Sequence, residues 1–308
     1  PITQEEVMDI ANSDSSLKAL KYRTPNAQWE FGIIQGITWN ERLKMNGLET
    51  FLLVRECIDV HYIPEEWNVS SYLMDSHSPF GDQEGVFYNS FFGGFAYNGI
   101  EKDSHDRRSG IYGEASCEWA PPWFANDLFG EASFTRLNGQ GKFFSPLFDA
   151  FPDAEKNILS GYWGTFFCVD YVFGDAIPIF VSQSLGGRKL KKALGGAVRG
   201  FEKRSIDANL KIAWNNELRL NGPVILGTTK EGIVPILFLY WDSGYYRGFP
   251  NAPEAFRDSS GFLFSTGVGT ALDLFGVGQV RMTLDIPIFP ERLDGSPVHL
   301  DFDVGLQF

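Results

Sequence analysis

No run of about 18 consecutive apolar residues, the length a membrane-spanning helix needs, occurs anywhere in the sequence. No membrane-spanning helix is expected. Histidine is scarce, with His61, His77, His105 and His299 the only four. Cysteine is scarcer, and Cys57, Cys117 and Cys168 are odd in number and without metal-ligand spacing, so they read as packed thiols. No glycine fingerprint follows a strand and opens a helix, and no EF-hand loop spacing is present. No cofactor and no metal are expected. Cations are few, 26 Lys and Arg against 39 Asp and Glu, and a net charge of −13 argues against nucleic-acid binding.

Aromatic residues are abundant instead, 15% of the chain with 28 Phe, a heavy load for a soluble enzyme. A length of 308 residues fits two ordinary domains or one large β-domain. Residues 1–26 differ from the rest: Thr3 and Glu6 form a candidate capping box, Glu5 to Ile10 suit one or two helical turns, and Pro25 ends them. The start at Pro1, without Met, fits removal of a signal peptide.

From residue 27 on, apolar and polar residues alternate with period 2, which gives each strand one apolar and one polar face. The last strand is the cleanest. Val298, Leu300, Phe302, Val304, Leu306 and Phe308 face one way, and His299, Asp301, Asp303, Gly305 and Gln307 the other. Val280, Met282, Leu284 and Ile286 likewise oppose Gln279, Arg281, Thr283 and Asp285. Ile212, Trp214, Asn216, Leu218 and Leu220 oppose Lys211, Ala213, Asn215, Glu217 and Arg219.

Strands of about 10 residues with large apolar side chains along one whole face suit a tilted bilayer crossing better than a half-solvated soluble sheet. Trp29, Trp119, Trp163, Trp241 and Tyr245 gather near strand ends, as interfacial girdles require. Backbone groups in lipid must all be paired, so the sheet should close. The expected fold is all-β: a transmembrane antiparallel β-barrel over residues 27–308, with about twelve strands and ten, fourteen or sixteen as alternatives. In the twelve-strand layout Gly174-Asp175 is a turn between strands near 159–173 and 176–184, and Pro121 to Asp127 is another. One misfit remains, a long connection over 64–85 on the side where turns should be short.

Seven cations of this acidic chain crowd into one loop: Arg188, Lys189, Lys191, Lys192, Arg199, Lys203 and Arg204. Two Leu-Gly-Gly repeats, at 185–187 and 194–196, let its backbone bend tightly. Such a loop fits best against acidic walls, folded inward. Asp59, Asp170, Asp285, Asp301 and Asp303 would line the lumen and balance it, or bias a pore toward cations.

Within that loop, Val198-Arg199-Gly200-Phe201 resembles the VRGF/Y signature in the sixth extracellular loop of the BamA/TamA/FhaC superfamily, the bacterial surface-antigen barrels. Tyr240-Trp241-Asp242-Ser243-Gly244 is similar to that family's F/Y-x-D-x-G strand motif, and Asn215 to Arg219 to its Glu-bearing strand. Order, parity and spacing match over about 176–308, and the chain stops at Phe308, on the apolar face of its last strand. The resemblance implies an integral protein of the bacterial outer membrane, an inward loop anchored by Arg199, and recognition of Phe308 by the assembly machinery. Parity alone puts Glu217 and Asp242 on inward faces, where the planar fork of Arg199 suits both carboxylates. The residues of this loop lock are Val198, Arg199, Gly200, Phe201, Glu217, Tyr240, Asp242 and Gly244.

About 26 residues ahead of the barrel, read as a periplasmic segment, are too few for a POTRA receptor domain, so the resemblance implies a short member lacking them. The function it implies is assembly or translocation of outer-membrane proteins, or a subunit of such a complex, without covalent chemistry. The partners would be outer-membrane lipids and other outer-membrane or periplasmic proteins, with no nucleic acid. Two other readings stand beside it. One is a passive channel or structural barrel that keeps the lock for stability. The other is a barrel hydrolase using His77 or His105, which sit among Asp75, Ser76, Asp103, Ser104 and Asp106.

Overall fold

The computed structural model describes residues 26–37, 47–60, 85–102, 108–127, 132–150, 159–188, 191–201, 206–227, 232–248, 250, 258, 260–275, 278–289 and 297–306. Eleven long strands follow one another: β1 (Asn26–Gly36), β2 (Leu48–Val60), β3 (Gly85–Asn98), β4 (Arg108–Ala120), β5 (Ser133–Ala150) and β6 (Leu159–Ala176), then β7 (Leu210–Asn221), β8 (Gly232–Arg247), β9 (Ser260–Leu274), β10 (Gly278–Phe289) and β11 (His299–Leu306). Each pairs antiparallel with the next in chain order, and two-residue pieces at Glu101–Lys102 and Leu226–Gly227 bring the sheet to thirteen strands. This up-and-down order is the simplest one that gives every inner strand two neighbours.

The alternation read from the sequence sets the two faces. On β11, Leu300, Phe302 and Val304 point outward at 63%, 66% and 65% exposure. On β10, Met282, Leu284 and Ile286 are outward, while Thr283 and Asp285 are buried on the other face. Asn216 is the exception on the apolar face of β7. With its amide turned to suit its neighbours, it donates to Thr165 Oγ1 at 3.0 Å and accepts from the indole N–H groups of Trp214 at 3.3 Å and Trp241 at 3.1 Å. The two rings seal a polar group that would otherwise meet lipid unpaired.

Two expectations give way. Gly174-Asp175 is no turn: it lies inside β6, where the register jumps from Ser133 opposite Ala176 to Thr135 opposite Phe173. A glycine fits there because a Cβ would sit 2.6 Å from the Phe134 Cα. The strand expected near 176–184 is instead a short helix, α1 (Ile179–Gln183), leading into a hairpin of Ser184–Leu185 with Lys191–Ala193. One strand in place of two reverses the direction of every strand before it. The connection between β2 and β3, the misfit of the sequence layout, then joins the end of the sheet where the long loop begins. The turn of Pro122–Asn126 moves there too. An apolar cluster of Cys57, Tyr88, Ala120, Phe134, Val172, Ile177 and Val181 gathers those strand ends around α1. The opposite end carries shorter connections, the shortest of them after Leu274, where Phe275 adopts φ 57°.

Between β6 and β7, the described residues 177–188, 191–201 and 206–209 fold onto the inner face of the sheet. Their second Leu-Gly-Gly repeat opens a helical turn, α2 (Leu194–Ala197), rather than an open bend. Leu185, Leu194, Val198, Phe201, Ile206 and Ala208 of this loop bury against Cys168, Ala213 and Leu263 of the wall. Residues 1–25 and Phe308 lie outside the described residues, as do Lys189, Lys203 and Arg204.

Candidate functional site

The register of β7 with β8 sets Glu217 opposite Tyr240 and Asn215 opposite Asp242, so the two carboxylates share the inner face two residues apart along the sheet. Arg199 reaches them from the loop. Its Nε donates to Asp242 Oδ2 at 2.6 Å and one terminal nitrogen donates to Oδ1 at 2.8 Å, a two-pronged contact. Its other terminal nitrogen donates to Glu217 Oε1 at 2.5 Å, and its backbone N–H donates to Asp242 Oδ2 at 3.2 Å. The guanidinium lies over the Tyr240 ring, 3.5 Å from the centroid. Tyr240 in turn donates its hydroxyl to Asp285 on β10. Burial opposes the charge on Arg199, but the carboxylates of Glu217 and Asp242 outweigh it and hold its pKa above the ordinary value.

The remaining motif residues set the backbone that carries Arg199. Val198 and Phe201 are buried in the apolar cluster between loop and wall. Gly200 has φ +83°, a left-handed conformation natural to glycine. At Gly244 a Cβ would stand 2.9 Å from Val198 Cγ2, so only a bare backbone lets the loop come this close. Asn215 donates to the Ala197 carbonyl at 2.7 Å and holds the end of α2. The structure thus brings together Val198, Arg199, Gly200, Phe201, Glu217, Tyr240, Asp242 and Gly244. Glu217 also accepts from Arg219 Nε at 2.6 Å and from Arg281 at 2.5 Å, so three guanidiniums converge on one carboxylate.

A second set of contacts, unforeseen from the sequence as a group, grips the first leg of the loop. Asp170 on β6 accepts from Arg136 Nε at 2.9 Å, from Asn138 at 3.0 Å and from the backbone N–H of Gly186 at 3.0 Å. Lys211 lies 3.2 Å from its other oxygen. Arg136 donates to the Ser184 carbonyl and Lys211 to the Ser182 carbonyl, both at 2.5 Å. Arg136, Asp170 and Lys211 are at most 2% exposed. Asp170 therefore balances two wall cations and receives the loop through a backbone N–H rather than through a loop side chain. Further along, Arg55 donates to the Gly187 carbonyl at 3.2 Å and pairs with Glu118 at 2.7 Å. Glu114 accepts the Arg188 backbone N–H at 2.8 Å, and the Arg188 side chain pairs with Glu49.

Close approach dictates the first Leu-Gly-Gly. A Cβ on Gly186 would stand 2.6 Å from Arg136 Nε and 2.7 Å from Asp170 Oδ1. Gly186→Ala is expected to lower stability by about 1–3 kcal/mol, the usual cost of forcing atoms into a packed site. Unfolding of the purified barrel in detergent, followed by heat and gel mobility, measures it. A variant as heat-resistant as the parent would mean the grip is loose.

His77 and His105, the residues of the hydrolase reading, lie outside the described residues. Among the described residues no cluster of three His, Cys, Asp or Glu is placed to hold a metal.

The sequence matches the Omp85 superfamily domain over residues 10–308. Among curated proteins none matches this chain. Among solved structures it is similar to CdiB from Escherichia coli, with TM-score 0.57 and 17% identity over 92% of this chain and 46% of that one. It is similar also to BamA from Haemophilus ducreyi lacking POTRA domains 1-3, with TM-score 0.55 and 15% identity over 94% of this chain and 56% of that one. The chain thus spans about half the length of the two structures it resembles. A family match over nearly the whole sequence agrees with what the strands show, outward apolar faces and an inward loop, and the chain belongs to the Omp85 superfamily as an integral β-barrel of the outer membrane.

Proposed function

We propose that this barrel works in the assembly or translocation of outer-membrane proteins, alone or as a subunit of a complex, with no covalent step. The contact of Arg199 with Asp242 and Glu217 carries the reading. It ties an inward loop to the wall by a charge-assisted fork that a barrel serving only as a scaffold has little need to place in its lumen. In the same reading the long-loop end faces outward and residues 27–308 form the barrel; Asn26 pairs with Asp59 at that outward end, which argues against the periplasmic placement expected for residues 1–26. Val198 to Phe201, Glu217, Tyr240, Asp242 and Gly244 act as a lock on the loop. The partners are lipids and other proteins of the outer membrane or periplasm, and Phe308 serves recognition during the barrel's own assembly.

The second reading, a passive channel, receives less support. The loop touches the inner face of β2 and of every strand from β4 to β10, through Glu49, Glu114, Arg136, Asp170, Lys211, Asp242, Leu263 and the Asp285–Gly200 approach among others. Depletion of the protein in its host, followed by quantitative comparison of outer-membrane and secreted proteins, tests the proposal. A defined subset should fall severalfold and return with the wild-type chain. An unchanged protein profile, together with steady ion conductance from the pure barrel, would favour the channel.

A further inference from the structure

On the outer face of the sheet, at the end away from the long loop, β6 to β10 enclose a groove of about 550 Å³. The register explains it. Leu220, Leu237, Thr270 and Met282 stand side by side on four successive strands. In the next row Pro235, Leu272 and Val280 are neighbours, and Gly222 joins them by donating its backbone N–H to the Pro235 carbonyl at 2.8 Å. All of these positions share the parity of the outward residues. Gly222, Pro235 and Thr270 are the low ground. Leu220, Leu237, Leu272 and Met282 rise around it, all four exposed, and Leu159 of β6 closes one side.

The backbone fixes two of the small residues. Proline has no N–H to give a ladder and is rare on an inner strand. Pro235 fits in β8 because the residue beside it is Gly222, one position past the end of β7 at Asn221. At Gly222 a Cβ would come within 3.0 Å of the Pro235 ring. The hollow is thus built into the frame of the sheet.

The lining sets the chemistry of the occupant. Thr270 is its one polar side chain, and it holds no charge and no aromatic ring. Protein interfaces are rich in aromatic residues and arginine, and helices that dock in a membrane meet on stripes of small residues. An aliphatic groove suits a flexible hydrocarbon chain instead, and an integral barrel of the outer membrane turns this face to hydrocarbon. Five strands at about 4.8 Å spacing make the groove about 19 Å across, enough for a tail from a leaflet whose hydrocarbon is about 15 Å deep.

We propose that this groove binds one acyl chain of a phospholipid and holds it in place, apart from the lipid that merely surrounds the barrel. The site does not depend on whether the barrel assembles or translocates other proteins.

Native mass spectrometry of the full chain in a mild detergent, titrated with palmitoyl-oleoyl phosphatidylethanolamine, tests it. The first lipid should bind about tenfold tighter than the next, the effect of about two more buried methylenes. Thr270→Phe puts a ring into the groove and should remove that preference. Val268→Phe, on the same face of β9 but outside the lining, should keep it. Both side chains point outward, and gel mobility before and after heating checks both folds. If Thr270→Phe fails that check, Thr270→Leu takes its place. Phosphatidylglycerol with the same tails should bind equally, since a tail site reads no headgroup. No preferred lipid on the parent, equal loss in the two phenylalanine variants, retention in both, or binding of one headgroup alone would overturn the proposal. So would a second polypeptide bound to the parent in place of the lipid and lost in Thr270→Phe, which would assign the groove to a protein.

Discussion

Replacing Arg199 by alanine is expected to cost the folded barrel about 3–5 kcal/mol, because it strands two carboxylates on the inner wall without their shared partner. Asp242 is fully buried, so water cannot take over the lost hydrogen bonds there. Glu217 keeps Arg219 and Arg281, so most of the loss falls on Asp242. The midpoint for heat conversion of the folded to the unfolded gel band should drop by on the order of 10 °C. Arg199→Lys should lie nearer the alanine variant than the parent, since an ammonium keeps the charge but not the fork that spans both Asp242 oxygens and reaches Glu217. A midpoint for Arg199→Ala within error of the parent would remove the lock from the proposed function.

Asp170→Asn should be at least as damaging, again about 3–5 kcal/mol, for the opposite reason: it strands cations. Arg136 and Lys211 are both buried against Asp170, which stands within salt-bridge distance of each. The sign of the effect can be checked from within. Adding Lys211→Met to Asp170→Asn removes one of the stranded charges and should restore part of the heat resistance, although it deletes one more contact. A double variant worse than Asp170→Asn alone would show that Lys211 matters through its bonds to the Ser182 and Ala208 carbonyls rather than through its charge. Because Arg199 and Asp170 hold two parts of one loop, combining their variants should cost less than the sum of the two.

Much of the sheet was legible because its chemistry repeats with the pleat. The run from Val298 to Val304 states which face is which, residue by residue, and β7 and β10 do the same. Turns were harder, for a physical reason. Glycine next to aspartate serves a tight turn and a bulge equally well, so Gly174-Asp175 carries no mark of which one it makes. The choice is made by β5, whose Ser133 and Phe134 lie against it. In the same way Asn138-Gly139-Gln140-Gly141 looks like a place to end a strand near 138. Yet β5 continues to Ala150, since Asn138 and Gln140 point inward and donate to Asp170 and Glu114.

The Arg199 contacts could be anticipated because a short motif names the loop residue and strand parity names the face of its partners. The Asp170 group could not. Asp170 and Lys211 each read as an ordinary inward polar residue, and Arg136 lies 34 positions from Asp170 in sequence. Only the pairing of β5, β6 and β7 gathers the three, and no spacing along one strand encodes that. What the sequence did offer was the first Leu-Gly-Gly, whose want of side chains has its cause in the crowd of charged groups around Asp170.

The path of the loop between β6 and β7 over so many strands has a mechanical side. A cord fastened to opposite sides of a hoop fixes the hoop's girth from within, so the wall cannot widen while both knots hold. If the proposed translocation holds, anything too broad for the space left over passes only when the wall yields and the cord slackens together.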